Sequence, residues 1–193
     1  MGNKATIPLT NERYIEIIKT MRNGFEFNGV KYKPNPRIAM ILQVQTNLGL
    51  RIGDVLQLRL ENIYWTGEKY KLDIVEQKTN KRRHFTVPTE FYNFMKLYCL
   101  ERGIKETARM FQITERAVQM HLKHVCDYLG YDRVSTHSFR KKYGTDIYNK
   151  SGHNIELVKR LYQHSNIAIT QRYLGVEERQ VEEAIENTVN IIY

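Results

Sequence analysis

His137, Arg140, His164 and Tyr173 fall in order within residues 136–175. His137 and Arg140 stand in Thr136-His137-Ser138-Phe139-Arg140, His164 in His164-Ser165-Asn166, and Tyr173 in Arg172-Tyr173-Leu174-Gly175. The apolar spacing around them predicts three consecutive short helices. A phenol becomes a nucleophile once it loses its proton, a guanidinium offers paired hydrogen bonds to phosphoryl oxygens, and an imidazole moves protons near neutral pH. Together these are most of what a tyrosine needs to cut a phosphodiester. The remaining groups must come from upstream.

The elements that would carry these groups follow from patterning. Asn11 to about Met21 reads as a helix with Tyr14, Ile17 and Ile18 on one side. Phe25-Glu26-Phe27, between Asn23-Gly24 and Asn28-Gly29, is a loop or a small hairpin. Asn35-Pro36 is a cap followed by a first-turn proline. The helix it opens, to about Asn47, is apolar nearly all round and therefore buried. Leu50-Arg51-Ile52-Gly53-Asp54 starts a short helix after Gly49. Three β-like runs follow at residues 63–65, 70–75 and 84–87, the last two joined by Lys78-Thr79-Asn80-Lys81. Helices are then expected at 89–102, 105–112, 115–129, 137–149, 154–163, 166–173 and 177–189. The fold class is mostly α with a small three-stranded antiparallel β-sheet, an α+β arrangement. Residues 106–118 also have the spacing of a helix-turn-helix, with Ala108, Ile113 and Val118 as packing positions.

At 193 residues, 41% of them hydrophobic, the chain can build one large core. Its formal net charge of +9 favours a polyanionic partner, nucleic acid before membrane. Cys99 and Cys126 lie in apolar helical contexts without metal spacing and read as buried free thiols in a reducing compartment. With no apolar run long enough to span a bilayer, the expected location is cytoplasmic and nucleoid-associated, without a membrane partner.

Five short motifs in order resemble the catalytic domain of the tyrosine recombinases, the phage integrase family. They are Gly49-Leu50-Arg51-Ile52-Gly53-Asp54, Gln77-Lys78-Thr79-Asn80-Lys81, His137-Ser138-Phe139-Arg140, Leu161-Tyr162-Gln163-His164-Ser165-Asn166 and Thr170-Gln171-Arg172-Tyr173. The likeness spans about residues 7 to 190, and it implies the DNA breaking-rejoining fold. It further implies that Tyr173 attacks the scissile phosphorus, leaving a 3′-phosphotyrosine and a free 5′-hydroxyl, so that rejoining needs no ATP. Arg51 and Arg140 would grip the nonbridging oxygens. Lys78, with Lys81 as its rival on the same turn, would protonate the departing 5′-oxygen. His137 would accept the tyrosine proton or donate to the phosphate, and His164 would donate to a nonbridging oxygen. Asp54 would orient Arg51 or His137. Tyr162 is the nearest rival of Tyr173. Arg82, Arg83, Lys141 and Lys142 read as phosphate contacts along the duplex. No cofactor and no metal are expected, paired cations serving where other enzymes use magnesium.

Gln163 departs from the family pattern, standing where glycine is usual. The domain layout expected is a catalytic domain over 1–175 and a tail helix over 176–193 that packs on a neighbouring protomer or on its own domain. The family's N-terminal core-binding domain is expected to be absent. The partners implied are double-stranded DNA, further copies of the chain (a tetramer on DNA), and accessory DNA-bending or directionality proteins. Two other functions share features of this sequence: a type IB topoisomerase-like relaxase, and a catalytically silent regulator that uses the 106–124 helix pair.

Overall fold

The computed structural model describes residues 6–174. Thr10 caps α1 (Asn11–Asn23) by accepting from the Arg13 amide, and Ile17, Ile18 and Met21 face inward. The loop-or-hairpin segment is a hairpin. β1 (Phe25–Phe27) pairs antiparallel with β2 (Val30–Tyr32) through Asn28 and Gly29, both at positive φ, as a two-residue turn of this hand requires. Phe25 stacks on Tyr32 and on Tyr128, tying the hairpin to the helical body.

Asn35 caps α2 (Pro36–Leu48), its side chain accepting from the Ile38 amide, with Pro36 in the first turn. Nine residues of α2 are buried, from Ile38 to Leu48, and the helix packs against α1, α3 (Ile52–Gln57) and α6 (Thr136–Lys150). Removing so much apolar surface from water makes this helix the largest contributor to the core. It ends at Gly49 in the left-handed region, where an added Cβ would lie 2.1 Å from the Tyr143 ring. After that turn Leu50 stays buried in the core, and Arg51 is partly exposed.

A 3-10 turn at Leu60–Asn62 leads into the sheet of β3 (Ile63–Trp65), β4 (Tyr70–Val75) and β5 (Arg82–Val87), antiparallel in that order. α4 (Thr89–Glu101) lays Tyr92 on Tyr70 with ring centroids 3.8 Å apart. α5 (Glu115–Leu129) is capped by Thr114, and α6 by a Ser135–Ser138 capping box. α7 (Ile155–Tyr162) and α8 (Ile167–Leu174) close the described chain. Tyr148, Val158, Tyr162 and Leu174 form a second apolar cluster beside the main core.

The helix expected at 105–112 does not form. Its backbone pairs instead with the segment before β3: Arg59 bridges Arg109, the Met110 amide donates to the Leu58 carbonyl, and the Glu61 amide donates to the Glu106 carbonyl. Amides and carbonyls used across the chain cannot also close an α-helical turn. The helix-turn-helix spacing therefore loses its first helix, while Val118 of α5 is a plain core residue. The helix expected at 177–189 lies outside the described residues.

Candidate active site

The site gathers where α3, the β4–β5 turn, α6, α7 and α8 meet. Arg51 precedes α3 with extended backbone and no capping bond from its side chain. That side chain reaches across to the end of β4, where Arg51 Nη1 donates to Glu76 Oε2. Thr79 Oγ1 donates to the same oxygen at 2.6 Å. The other carboxylate oxygen, Glu76 Oε1, lies 3.7 Å from both Arg83 Nη1 and Arg140 Nη1. Burial alone would raise the Glu76 pKa. The hydrogen bonds from Thr79 and Arg51 and the charges of Arg51 and Arg83 win, holding it below the usual carboxylate value.

Arg140 is 3% exposed and lies one turn beyond His137 on α6. Its guanidinium sits over the Tyr162 ring at 4.6 Å, and the Tyr162 hydroxyl donates to the Arg140 carbonyl at 2.6 Å. The two rival tyrosines therefore stand in different surroundings. Tyr162 is buried with its proton committed to a backbone oxygen, and it forms the floor of the site. Tyr173 packs edge-on against Tyr162, with centroids 5.2 Å apart, and its hydroxyl makes no hydrogen bond among the described residues. Burial pushes the Tyr173 pKa up to about 12, against the pull of Arg140 and Arg51. At rest it is a neutral phenol that needs a base.

His164 supplies a ring 5.5 Å from that of Tyr173, with Nδ1 2.9 Å from Thr170 Oγ1. His137 sits at the start of α6, exposed at its edge, beside Arg140, Lys78, Arg51 and Lys141. Both imidazoles are held below the ordinary histidine pKa, first by loss of water around the ring, which is only partial for the exposed His137, and then by Arg140 and the other cations. They are neutral at pH 7, and each can take up a proton. Lys78 is exposed on the β4–β5 turn and acts on His137. Lys81 Nζ donates to the Gln163 carbonyl at 2.9 Å, which holds it against the α7–α8 junction.

Gln163, the departure from glycine, takes the left-handed conformation all the same, with φ 54° and ψ 37°. Its side chain donates to the Arg82 carbonyl at 2.7 Å while its own carbonyl accepts from Lys81. These two bonds offset the roughly 1–2 kcal/mol a side chain costs there. His164 is thus placed without glycine.

The expectations for Asp54, Arg83 and Lys142 need correction. Asp54 is buried, but Oδ1 accepts from the Gln77 amide at 2.9 Å, so it braces the lysine turn and does not hold Arg51 or His137. Arg83 is 1% exposed, inside the site, where no duplex phosphate can line up along it. Lys142 is buried between Asn11 and Asp146, its Nζ 2.9 Å from the Asp146 carboxylate. Lys141 is half-buried, donates to the Thr6 carbonyl and lies over the Tyr173 ring. Arg82 is exposed and paired with Asp73.

Glu76 and Arg83 are the site residues that motif reading missed. The signal was present in strand alternation. Leu72, Ile74 and Glu76 share the inward face of β4 and its extension, as Arg83, Phe85 and Val87 share that of β5, leaving Arg82 outside. A charge on the buried face of a strand is the informative observation.

The model of the family described as "Phage integrase family" matches residues 8–180. A probable integrase/recombinase, YoeC, of Bacillus subtilis (strain 168) is 25% identical over 171 residues, covering 85% of this chain and 91% of that protein. Tyrosine recombinase XerC of Caldanaerobacter subterraneus subsp. tengcongensis is 27% identical over 158 residues, covering 75% of this chain and 43% of that one. Among solved structures, the XerH site-specific recombinase bound to palindromic difH substrate in a post-cleavage complex superposes with a TM-score of 0.69 at 19% identity. That match covers 95% of this chain and 53% of the XerH chain. The chain thus spans most of YoeC but about half of the XerC and XerH proteins.

Proposed function

Since the chain belongs to the phage integrase family, we propose that its described residues form the catalytic domain of a tyrosine-type site-specific DNA recombinase. The reaction is a transesterification. The Tyr173 oxygen forms a bond to the scissile phosphorus, the bond from phosphorus to the 5′-oxygen breaks, and a 3′-phosphotyrosine keeps the phosphodiester for rejoining. The phenol proton goes to a neutral imidazole. His164 is the closer ring, with His137 facing Lys78. Arg51 and Arg140 stabilise the charge that gathers on the nonbridging oxygens. Lys78 protonates the leaving 5′-oxygen, since Lys81 is tied to Gln163. The substrate is double-stranded DNA, and several copies of the chain, with accessory DNA-bending proteins, would assemble on a recombination site.

One observation carries this reading. Two guanidiniums, two imidazoles and a phenol from four separate parts of the chain converge on one partly buried cluster, and the buried Arg140 Nη1 makes no hydrogen bond there among the described residues. Buried donors of this kind fit an oxyanion with several acceptor oxygens. The test is covalent capture. Wild type is incubated with a pool of nicked duplexes, in which the cut fragment diffuses away and the adduct accumulates. The expected result is a denaturant-resistant protein–DNA adduct for wild type and none for Tyr173→Phe, with DNA binding retained. An adduct that persists in Tyr173→Phe excludes this nucleophile.

A further inference from the structure

Glu76 lies two residues before Lys78 and is buried among three guanidiniums. Its carboxylate is nearly solvent-free, at 2% side-chain exposure, and so is Arg83, at 1%. Oε2 holds Arg51 and Thr79, whereas Oε1 faces Arg83 and Arg140 at 3.7 Å without a hydrogen bond. The two terminal nitrogens of Arg83 make no hydrogen bond among the described residues, and its guanidinium lies over the Phe85 ring at 5.3 Å. Resting on the recombinase reading above, we infer that Glu76 and Arg83 are positioning residues for strand cleavage, which lock Arg51 and Arg140 at a fixed separation and couple both to the lysine turn.

The argument is one of charge and geometry. Arg51, Arg83 and Arg140 would repel one another in a dry pocket, and one carboxylate between them removes much of that cost. A guanidinium has five N–H groups in a planar fork. Engaging Arg51 through Nη1 alone fixes the plane of the fork and leaves its other N–H groups for a phosphate. Glu76 also belongs to the turn itself: its amide donates to the Lys81 carbonyl and its carbonyl accepts from the Asn80 amide. Moving the carboxylate therefore moves the turn bearing Lys78 and the arginines together. Arg83, from the neighbouring strand, sets the far side of the carboxylate. Without it, Oε1 has one cation to balance where it now has two.

A competing view is that Glu76 occupies the place of the phosphate and must be pushed out by DNA. The two views predict opposite responses. Glu76→Gln keeps the shape and removes the charge, and Arg83→Lys keeps the charge and removes the fork. Single-turnover adduct formation on captured duplex, at saturating DNA, is measured beside duplex affinity and thermal stability, well below the melting transition. If the pair positions the arginines, Glu76→Gln slows cleavage roughly 100-fold, as a misplacement of about an ångström does. Duplex affinity then stays within about threefold, because most of it comes from phosphates elsewhere along the DNA. Arg83→Lys slows cleavage roughly 10-fold or more. Cleavage at the wild-type rate in either variant overturns the assignment of that residue. Tighter DNA binding with faster cleavage in Glu76→Gln overturns it in favour of the stand-in view, and a fall in rate matched by an equal fall in affinity reduces it to general scaffolding. Wild type that forms no adduct on any duplex sinks the parent reading, whereas an active wild type with unaffected variants sinks this one alone.

Discussion

Tyr173, His137 and His164 have their protonation states set by the same two forces, and these do not act alike on all three. Burial favours the neutral form of every group, so it raises Tyr173 and lowers His137 and His164. The surrounding arginines pull tyrosine back down but push the histidines further down. The outcome is a neutral phenol beside neutral imidazoles, the state from which a proton can pass from one to the other as the phosphorus is attacked. The same shifts have a consequence for stability. In the unfolded chain both histidines titrate near the ordinary value of about 6.5, whereas folded they resist protonation. Below that pH the unfolded state binds more protons, so these two residues subtract stability as the pH falls. The melting temperature of wild type should drop on acidification from pH 7 through 6.5 and below. The double variant His137→Gln/His164→Gln should show a shallower drop over that window, read by calorimetry in matched buffers. A steeper drop in the variant would mean that these imidazoles gain protons on folding, contrary to their cationic surroundings.

Helix α6 carries His137 and Arg140 on one face and, four residues after Arg140, a glycine. Gly144 lies under the Tyr162 ring, where a new Cβ would come within 2.6 Å of Cε2. In a free helix, alanine would be better than glycine by about 1 kcal/mol. Here overpacking against a buried aromatic costs about 1–3 kcal/mol and displaces the ring on which the Arg140 guanidinium rests. Gly144→Ala should therefore melt lower than wild type by a few degrees and lose about 10-fold or more in adduct formation. A variant that melts higher and cleaves normally would show that Tyr162 is not the floor of the site. This contact also marks what sequence could and could not supply. Helix caps, the all-apolar α2, the hairpin turn and the order of the motifs were legible because each depends on a few neighbouring residues. The failed helix at 105–112 was not, since its backbone pairs with Leu58–Glu61, some fifty residues away. Arg82 and Arg83 read as one basic pair, yet strand alternation turns one to solvent and buries the other. The sequence places Asp54 to orient Arg51 or His137, but its partner is the Gln77 amide across the fold.

At the scale of the whole molecule, charge decides how DNA is met. Lys and Arg number 30 against 21 Asp and Glu, and the excess is not spent evenly. Arg83, Arg140 and Lys142 are buried, leaving groups such as Lys78, Lys81 and the partly open Arg51 to face a duplex around the cleft. Contacts of this kind are to phosphates, so binding is driven by counterion release and says little about sequence. If the 193-residue chain neutralises about five phosphates, the slope of log affinity against log salt is about −4 to −5. A rise from 50 to 200 mM salt should then weaken binding roughly 10²–10³-fold. Random and cognate duplexes should differ little at either salt, because phosphate contacts carry no sequence information directly. Fluorescence anisotropy with a labelled duplex across that salt range measures both quantities at once. A tight complex with random duplex that ignores salt would require an apolar or stacking interface, and would move the DNA away from the arginine cleft on which the catalytic reading stands.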